Sequence, residues 1–111
     1  MILLHNPRCS KSRQALAILE ERGVDFQTRL YLDNPLSREE LTDILAALGL
    51  RPSELVRKGE QAFKDRNLKQ ASDAEIFEAM LDEPKLIERP IALVAGKAVV
   101  GRPPELVLEL V

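Results

Sequence analysis

One cysteine and one histidine are all that 111 residues contain, and this scarcity removes several kinds of chemistry. A single sulfur cannot form an internal disulfide. One Cys and one His, at positions 5 and 9, cannot close a zinc site, so no metal is expected. Long apolar runs are missing too: Ile2-Leu3-Leu4 is too short for the hydrophobic region of a secretory signal, and no basic residue precedes it. The expectation is a reducing cytoplasm and no membrane segment. Nor is there an excess of positive charge. Sixteen Lys and Arg face 18 Asp and Glu for a net charge of −2, which argues against a general nucleic-acid binder. Repeats, low-complexity stretches and Gly/Ser linkers are absent as well. The composition, 45% hydrophobic and 31% charged, is ordinary globular usage. At this length folding hides roughly two thirds of the chain's surface, enough for one domain over residues 1–111.

The apolar run Ile2-Leu3-Leu4 reads as a buried strand entering a loop at His5-Asn6-Pro7. From Ser10, apolar Ala15, Leu16, Ile18 and Leu19 recur at helical spacing until Gly23. Val24 to Leu30 alternates with period two and predicts a second strand. Strand, helix and strand within about thirty residues make a parallel βαβ unit. Ser37 with Glu40, and Ser72 with Glu75, are capping boxes ahead of apolar helical patterns that end at Gly49 and before Pro84. Between them Pro52 to Val56 suits a short helix with proline in its first turn, whereas residues 58–71 are polar and carry no clear period. Ile91 to Ala95 and Ala98 to Val100 are β-branched runs, and Gly96-Lys97 between them suits a type II′ hairpin. Pro103 and Pro104 open a last amphipathic helix using Leu106, Val107 and Leu110. The order, β-α-β, a helical insertion between β2 and β3, then β-β-α, is that of an α/β thioredoxin-like fold with a four-stranded mixed sheet.

Cys9 falls between the His5-Asn6-Pro7-Arg8 loop and the helix opening at Ser10-Lys11-Ser12-Arg13. Unpaired amides of the first helical turn and the positive end of the helix dipole would face its sulfur and favour the thiolate. Arg8, Lys11 and Arg13 precede the first carboxylate of the chain, at Glu20, so the locality is cationic. A lone cysteine is otherwise an inert buried hydrophobe. Where a redox Cys-x-x-Cys would place its second sulfur stands Ser12, so an outside thiol must resolve anything formed on Cys9. His5 has two readings: an electrostatic influence on Cys9, or a hydrogen-bonded histidine at a strand end.

Four spaced segments carry a resemblance along the whole chain: His5-Asn6-Pro7-Arg8-Cys9-Ser10-Lys11-Ser12-Arg13, Leu55-Val56-Arg57-Lys58, Leu86-Ile87-Glu88-Arg89-Pro90-Ile91, and Gly101-Arg102-Pro103-Pro104-Glu105. Together they resemble the glutaredoxin-coupled arsenate reductase family, and the first resembles its short chromosomal members. The resemblance implies a cysteine that attacks arsenate and three arginines that hold the oxyanion, which correspond to Cys9, Arg57, Arg89 and Arg102. His5, Ser12 and Pro90 would support them, with a cis bond at Arg89-Pro90. It further implies arsenate as substrate, glutathione as co-substrate, glutaredoxin as partner and no bound cofactor. Taken singly, each arginine also reads as a solvated surface charge.

A magnitude divides the labour between sulfur and arginines. Lowering a thiol pKa from 8.5 to about 6.5 raises the thiolate fraction at pH 7 about 25-fold. A Brønsted slope near 0.4–0.5 returns about 6- to 10-fold of that as lost nucleophilicity, leaving a gain of about threefold. Most of the rate must then come from guanidinium groups that bring two anions together and stabilise charge on the oxyanion. Two other readings keep the fold. One is a thioredoxin-like regulator that binds RNA polymerase, which Arg102-Pro103-Pro104 and Ser12 disfavour; the other is a glutathione-dependent thiol reductase.

Overall fold

The computed structural model describes residues 1–111, which form two compact units: Met1–Asn34 with Arg89–Val111, and Pro35–Glu88. In the first unit, β1 (Ile2–Leu4), β2 (Gln27–Arg29), β3 (Ile91–Val94) and β4 (Lys97–Val100) form a sheet in the order β2-β1-β3-β4. β1 runs parallel to β2 and antiparallel to β3, and β3 and β4 form a hairpin. The mixed four-stranded sheet expected from the sequence is therefore present, and the segment between β2 and β3 carries helices.

Helix α1 (Ser10–Glu21) joins the two parallel strands. Its end follows from Gly23, whose φ of 66° lets the Gly23 and Val24 amides turn back to the carbonyls of Glu20 and Leu19. Leu3 and its register partner Ala92 on the sheet, Ala15 and Leu19 on α1, and Val107 in the 3-10 segment Pro104–Leu110 form one fully buried cluster. Burying a Leu or Val side chain completely is worth about 1.5–3 kcal/mol, so this cluster fixes α1, and with it the residue at its N-terminus, against β1.

Three sequence expectations are corrected in this unit. The strand expected over Val24–Leu30 is only Gln27–Arg29, because β2 is the sheet edge and pairs with a three-residue β1 alone. The hairpin turn is Ala95-Gly96, not Gly96-Lys97: Val94 pairs with Lys97, and Ala95 and Gly96 both have positive φ, 34° and 82°. Positive φ at both central residues makes a type I′ turn, not type II′. The last helix is a 3-10 segment, and the Arg102-Pro103 bond that precedes it is cis, as is Arg89-Pro90.

The second unit contains α2 (Arg38–Leu48), α3 (Pro52–Leu55), α4 (Gln61–Asp65) and α5 (Asp73–Asp82). Both expected capping boxes form. The Ser37 hydroxyl accepts from the Glu40 amide at 3.1 Å while the Glu40 carboxylate accepts from the Ser37 amide at 2.9 Å, and Ser72 and Glu75 repeat the exchange. The polar residues 58–71 hold α4 and a 3-10 turn at Leu68–Gln70. These are single turns too short to show a period.

Candidate active site

Cys9 is the residue that caps α1, with φ −95° and ψ 122°, outside the helix but with its carbonyl accepting from Arg13 N–H at 3.0 Å. The loop before it is folded by short-range bonds. Cys9 N–H donates to the Asn6 carbonyl at 3.0 Å, Arg8 N–H to Asn6 Oδ1 at 3.0 Å, and Arg13 reaches back to the Pro7 carbonyl at 2.9 Å. Asn6 and Pro7 supply the turn chemistry for this. Cys9 is a free, buried cysteine whose residue surface is 9% exposed, and polar groups, not hydrocarbon alone, surround its sulfur.

Two arginines of the first unit meet this sulfur. Arg102 Nη2 lies 3.9 Å from Cys9 Sγ, while Arg102 Nε donates to the Arg89 carbonyl at 2.9 Å. One guanidinium nitrogen is thus held by backbone while another lies beside the thiol. The Arg89 side chain also interacts with Cys9. Burial alone would push the Cys9 thiol up; the Ser12 amide, the Arg89 guanidinium and the Lys11 amide outweigh it and hold the thiol below its ordinary value. Amides of the first helical turn do what the sequence suggested for them.

Ser12, fully buried, lies one turn into α1. Its hydroxyl accepts from Asn6 N–H at 3.0 Å and stands 2.6 Å from His5 Nδ1. Burial, and then the charge of Arg13, holds His5 below its usual pKa, which favours the neutral ring, and a neutral ring with Nδ1 unprotonated accepts a hydrogen bond from the Ser12 hydroxyl. His5 is therefore a hydrogen-bonded histidine just beyond a strand, and its main-chain amide donates to the Arg29 carbonyl at 3.0 Å. Through Ser12 it braces the turn that carries the sulfur.

Pro90, buried after the cis bond, accepts from Gly101 N–H at 2.8 Å. That bond puts residue 102 next to residue 89. The sequence places Gly101 in the fourth resemblance segment without a role for it; the structure shows its amide on the Pro90 carbonyl. Arg57 belongs to the second unit. There its backbone amide donates to the Leu86 carbonyl at 2.7 Å, and its guanidinium lies 3.6 Å from the carboxylates of Glu60 and Glu88. Of the expected arginines, Arg89 and Arg102 accompany Cys9 in the first unit, together with His5, Ser12 and Pro90. No group of three or more His, Cys, Asp or Glu side chains is arranged to hold a metal ion, and no helix is long and apolar enough to cross a membrane.

The fold and the site define a class: a thioredoxin-like sheet with a lone thiol at a helix N-terminus, met by guanidinium groups. The chain belongs to the ArsC family, whose model matches residues 4–110. It is 48% identical over 112 residues to the uncharacterized protein YfgD of Escherichia coli K12, covering 98% of this chain and 94% of the relative. It is 42% identical over 113 residues to an arsenate reductase of Haemophilus influenzae, covering 99% and 97%. Among solved structures, the arsenate reductase of Vibrio cholerae superposes with a TM-score of 0.93 at 46% identity, over 99% of this chain and 96% of that one.

Proposed function

We propose that this protein is an arsenate reductase that uses Cys9 as nucleophile, glutathione as co-substrate and glutaredoxin as final reductant, in a reducing cytoplasm. The observation that carries the reading is the tethered Arg102, with Nε on the Arg89 carbonyl and Nη2 3.9 Å from Cys9 Sγ. A thiol alone would need no such neighbour. An oxyanion approaching that thiol does, because planar guanidinium forks match oxygens in pairs and offset the repulsion between two anions. Membership of the ArsC family and similarity to the arsenate reductases of Haemophilus influenzae and Vibrio cholerae support arsenate as the substrate.

The steps balance as follows. The Cys9 thiolate attacks arsenic, forming a sulfur–arsenic bond while one arsenate oxygen leaves as water. Glutathione thiolate displaces a second oxygen, again as water, giving arsenic(V) bonded to both sulfurs. A glutaredoxin thiolate then attacks the glutathione sulfur, forming a mixed disulfide. The electrons of the broken arsenic–sulfur bond stay on arsenic, which becomes arsenic(III). Water finally cleaves the Cys9–arsenic bond, releasing arsenite and restoring the thiol. With Ser12 at the resolving position the chain has no second thiol, so both reducing thiols come from outside. The reading requires no resident cofactor.

The test is arsenate-dependent NADPH oxidation with glutathione, glutaredoxin and glutathione reductase supplied. Turnover by the wild type and none by Cys9→Ser supports the reading. Reduction of a glutathionylated substrate with no response to arsenate would replace it with the thiol reductase.

A further inference from the structure

The second unit carries a groove far in character from an oxyanion site. One hollow of about 390 Å³ is lined by apolar Val56, Phe63, Leu68 and Ile76 together with Lys58 and Lys69. A second, of about 320 Å³, shares Lys58, Phe63 and Lys69 and adds Lys64 and Asn67. The shared residues join the two into one run over α3, α4, the 3-10 turn at Leu68–Gln70 and the start of α5. No carboxylate lines either hollow.

The charge arrangement is the second observation. Acidic residues outnumber basic ones in Pro35–Glu88, and every arginine of the unit is paired: Arg38 with Glu78, Arg51 with Glu54, Arg57 with Glu60 and Glu88, Arg66 with Asp82 and Glu83. Lys58, Lys64 and Lys69 are exposed and have no such partner. The carboxylates nearest in sequence are engaged elsewhere. Glu60 faces Arg57, Asp65 accepts from Gln61 at 2.9 Å, and Asp73 accepts from the Ser53 amide at 3.0 Å. Three unpaired cations thus surround apolar walls in an otherwise acidic unit.

We propose that this groove docks an acidic peptide segment of a partner protein, with a bulky apolar side chain seated between Phe63, Leu68 and Ile76 and its carboxylates on Lys58, Lys64 and Lys69. Charge complementarity selects the sign of the partner and the apolar walls select its anchor. Lys58 and Lys69 belong to both hollows and Lys64 to the second, so three separate ammonium groups are offered and the ligand carries more than one carboxylate. A single-headed amphiphile carries one charge and would leave two of the three without a partner. The proposal is independent of the chemistry at Cys9.

The test is selection of a random-peptide display library on the intact protein, followed by fluorescence polarisation of the enriched peptides. The expected result is enrichment of Asp and Glu around Leu or Phe. Affinity should fall at least about tenfold in the Lys58→Glu/Lys69→Glu protein, hold within about threefold in Lys58→Arg/Lys69→Arg, and weaken with salt. Both pairs lie on the surface, and thermal melts check that the variants fold. Absence of enrichment, enrichment without acidic residues, or equal affinity for the charge-reversed protein overturns the proposal. So does saturable binding of decanoate or phosphatidylglycerol vesicles at these lysines in place of peptide.

Discussion

Gly101 and Pro90 approach so closely that a Cβ on residue 101 would lie 2.8 Å from Pro90 Cγ and 2.9 Å from Val107 Cγ1. Neither atom is the free end of a flexible chain, so residue 101 must be glycine for β4 to deliver Arg102 beside residue 89. Gly101→Ala is expected to destabilise the protein by about 1–3 kcal/mol, the usual cost of overpacking a full core. It should also displace Arg102 and lower turnover. Chemical denaturation and steady-state kinetics check the two effects, and unchanged values for both would remove this packing from the account.

The two contacts that Arg102 makes at once, Nε to the Arg89 carbonyl and Nη2 to Cys9 Sγ, depend on a planar fork that lysine, with its single point charge, does not supply. Arg102→Lys is expected to lower arsenate turnover by about 100-fold, the order seen when one preorganised oxyanion donor is lost. The Cys9 pKa should move much less, because the Ser12 and Lys11 amides and Arg89 still act on it. Turnover and the pH dependence of thiol alkylation, measured on the same variant, distinguish the roles. A large pKa change with turnover preserved would reverse them.

Cys9 is held below the ordinary thiol range in the folded state. The folded protein thus binds fewer protons than the unfolded chain between the two pKa values, and its stability rises with pH there. The contribution is fully present above the unfolded thiol value, about 8.5, and is lost as pH falls through the folded value. The stability gap between wild type and Cys9→Ser should therefore widen from pH 6 to pH 9 in denaturation experiments. Iodoacetamide alkylation of the wild type should show a midpoint below that of a free thiol.

Ala95 occupies the left-handed region at φ 34° in the hairpin turn. An alanine there costs about 1–2 kcal/mol, and Asn-Gly is the preferred pair for a type I′ turn. Ala95→Asn is expected to raise stability by up to about 1 kcal/mol with no change in turnover. A rise in the denaturation midpoint would show it; a fall would contradict the turn assignment.

The legible parts of this chain were those whose cause is local. Cys9 before a helix, the Ser37–Glu40 and Ser72–Glu75 caps and the Gly23 stop all depend on residues within four positions of one another. The extent of β2 was not legible, because it is set by the three residues of β1 that pair with it and not by the alternation of Val24 to Leu30. The turn at Ala95-Gly96 was misplaced by one residue, since register across the hairpin, not glycine alone, decides which two residues lie between the strands. Arg102 was visible only through its family pattern. Its tether to the Arg89 carbonyl spans thirteen positions and leaves no periodic trace. The same family pattern marks Arg57 as an oxyanion ligand, and nothing in the sequence around it singles out its Glu60 and Glu88 partners.

The most direct measurement is arsenic-edge anomalous diffraction from crystals of the wild type soaked in arsenate. The expected result is an arsenic peak at bonding distance from Cys9 Sγ, with its oxygens facing the guanidinium groups of Arg89 and Arg102. Arsenic bound elsewhere, or none at Cys9 in a protein that turns over arsenate, would contradict the account.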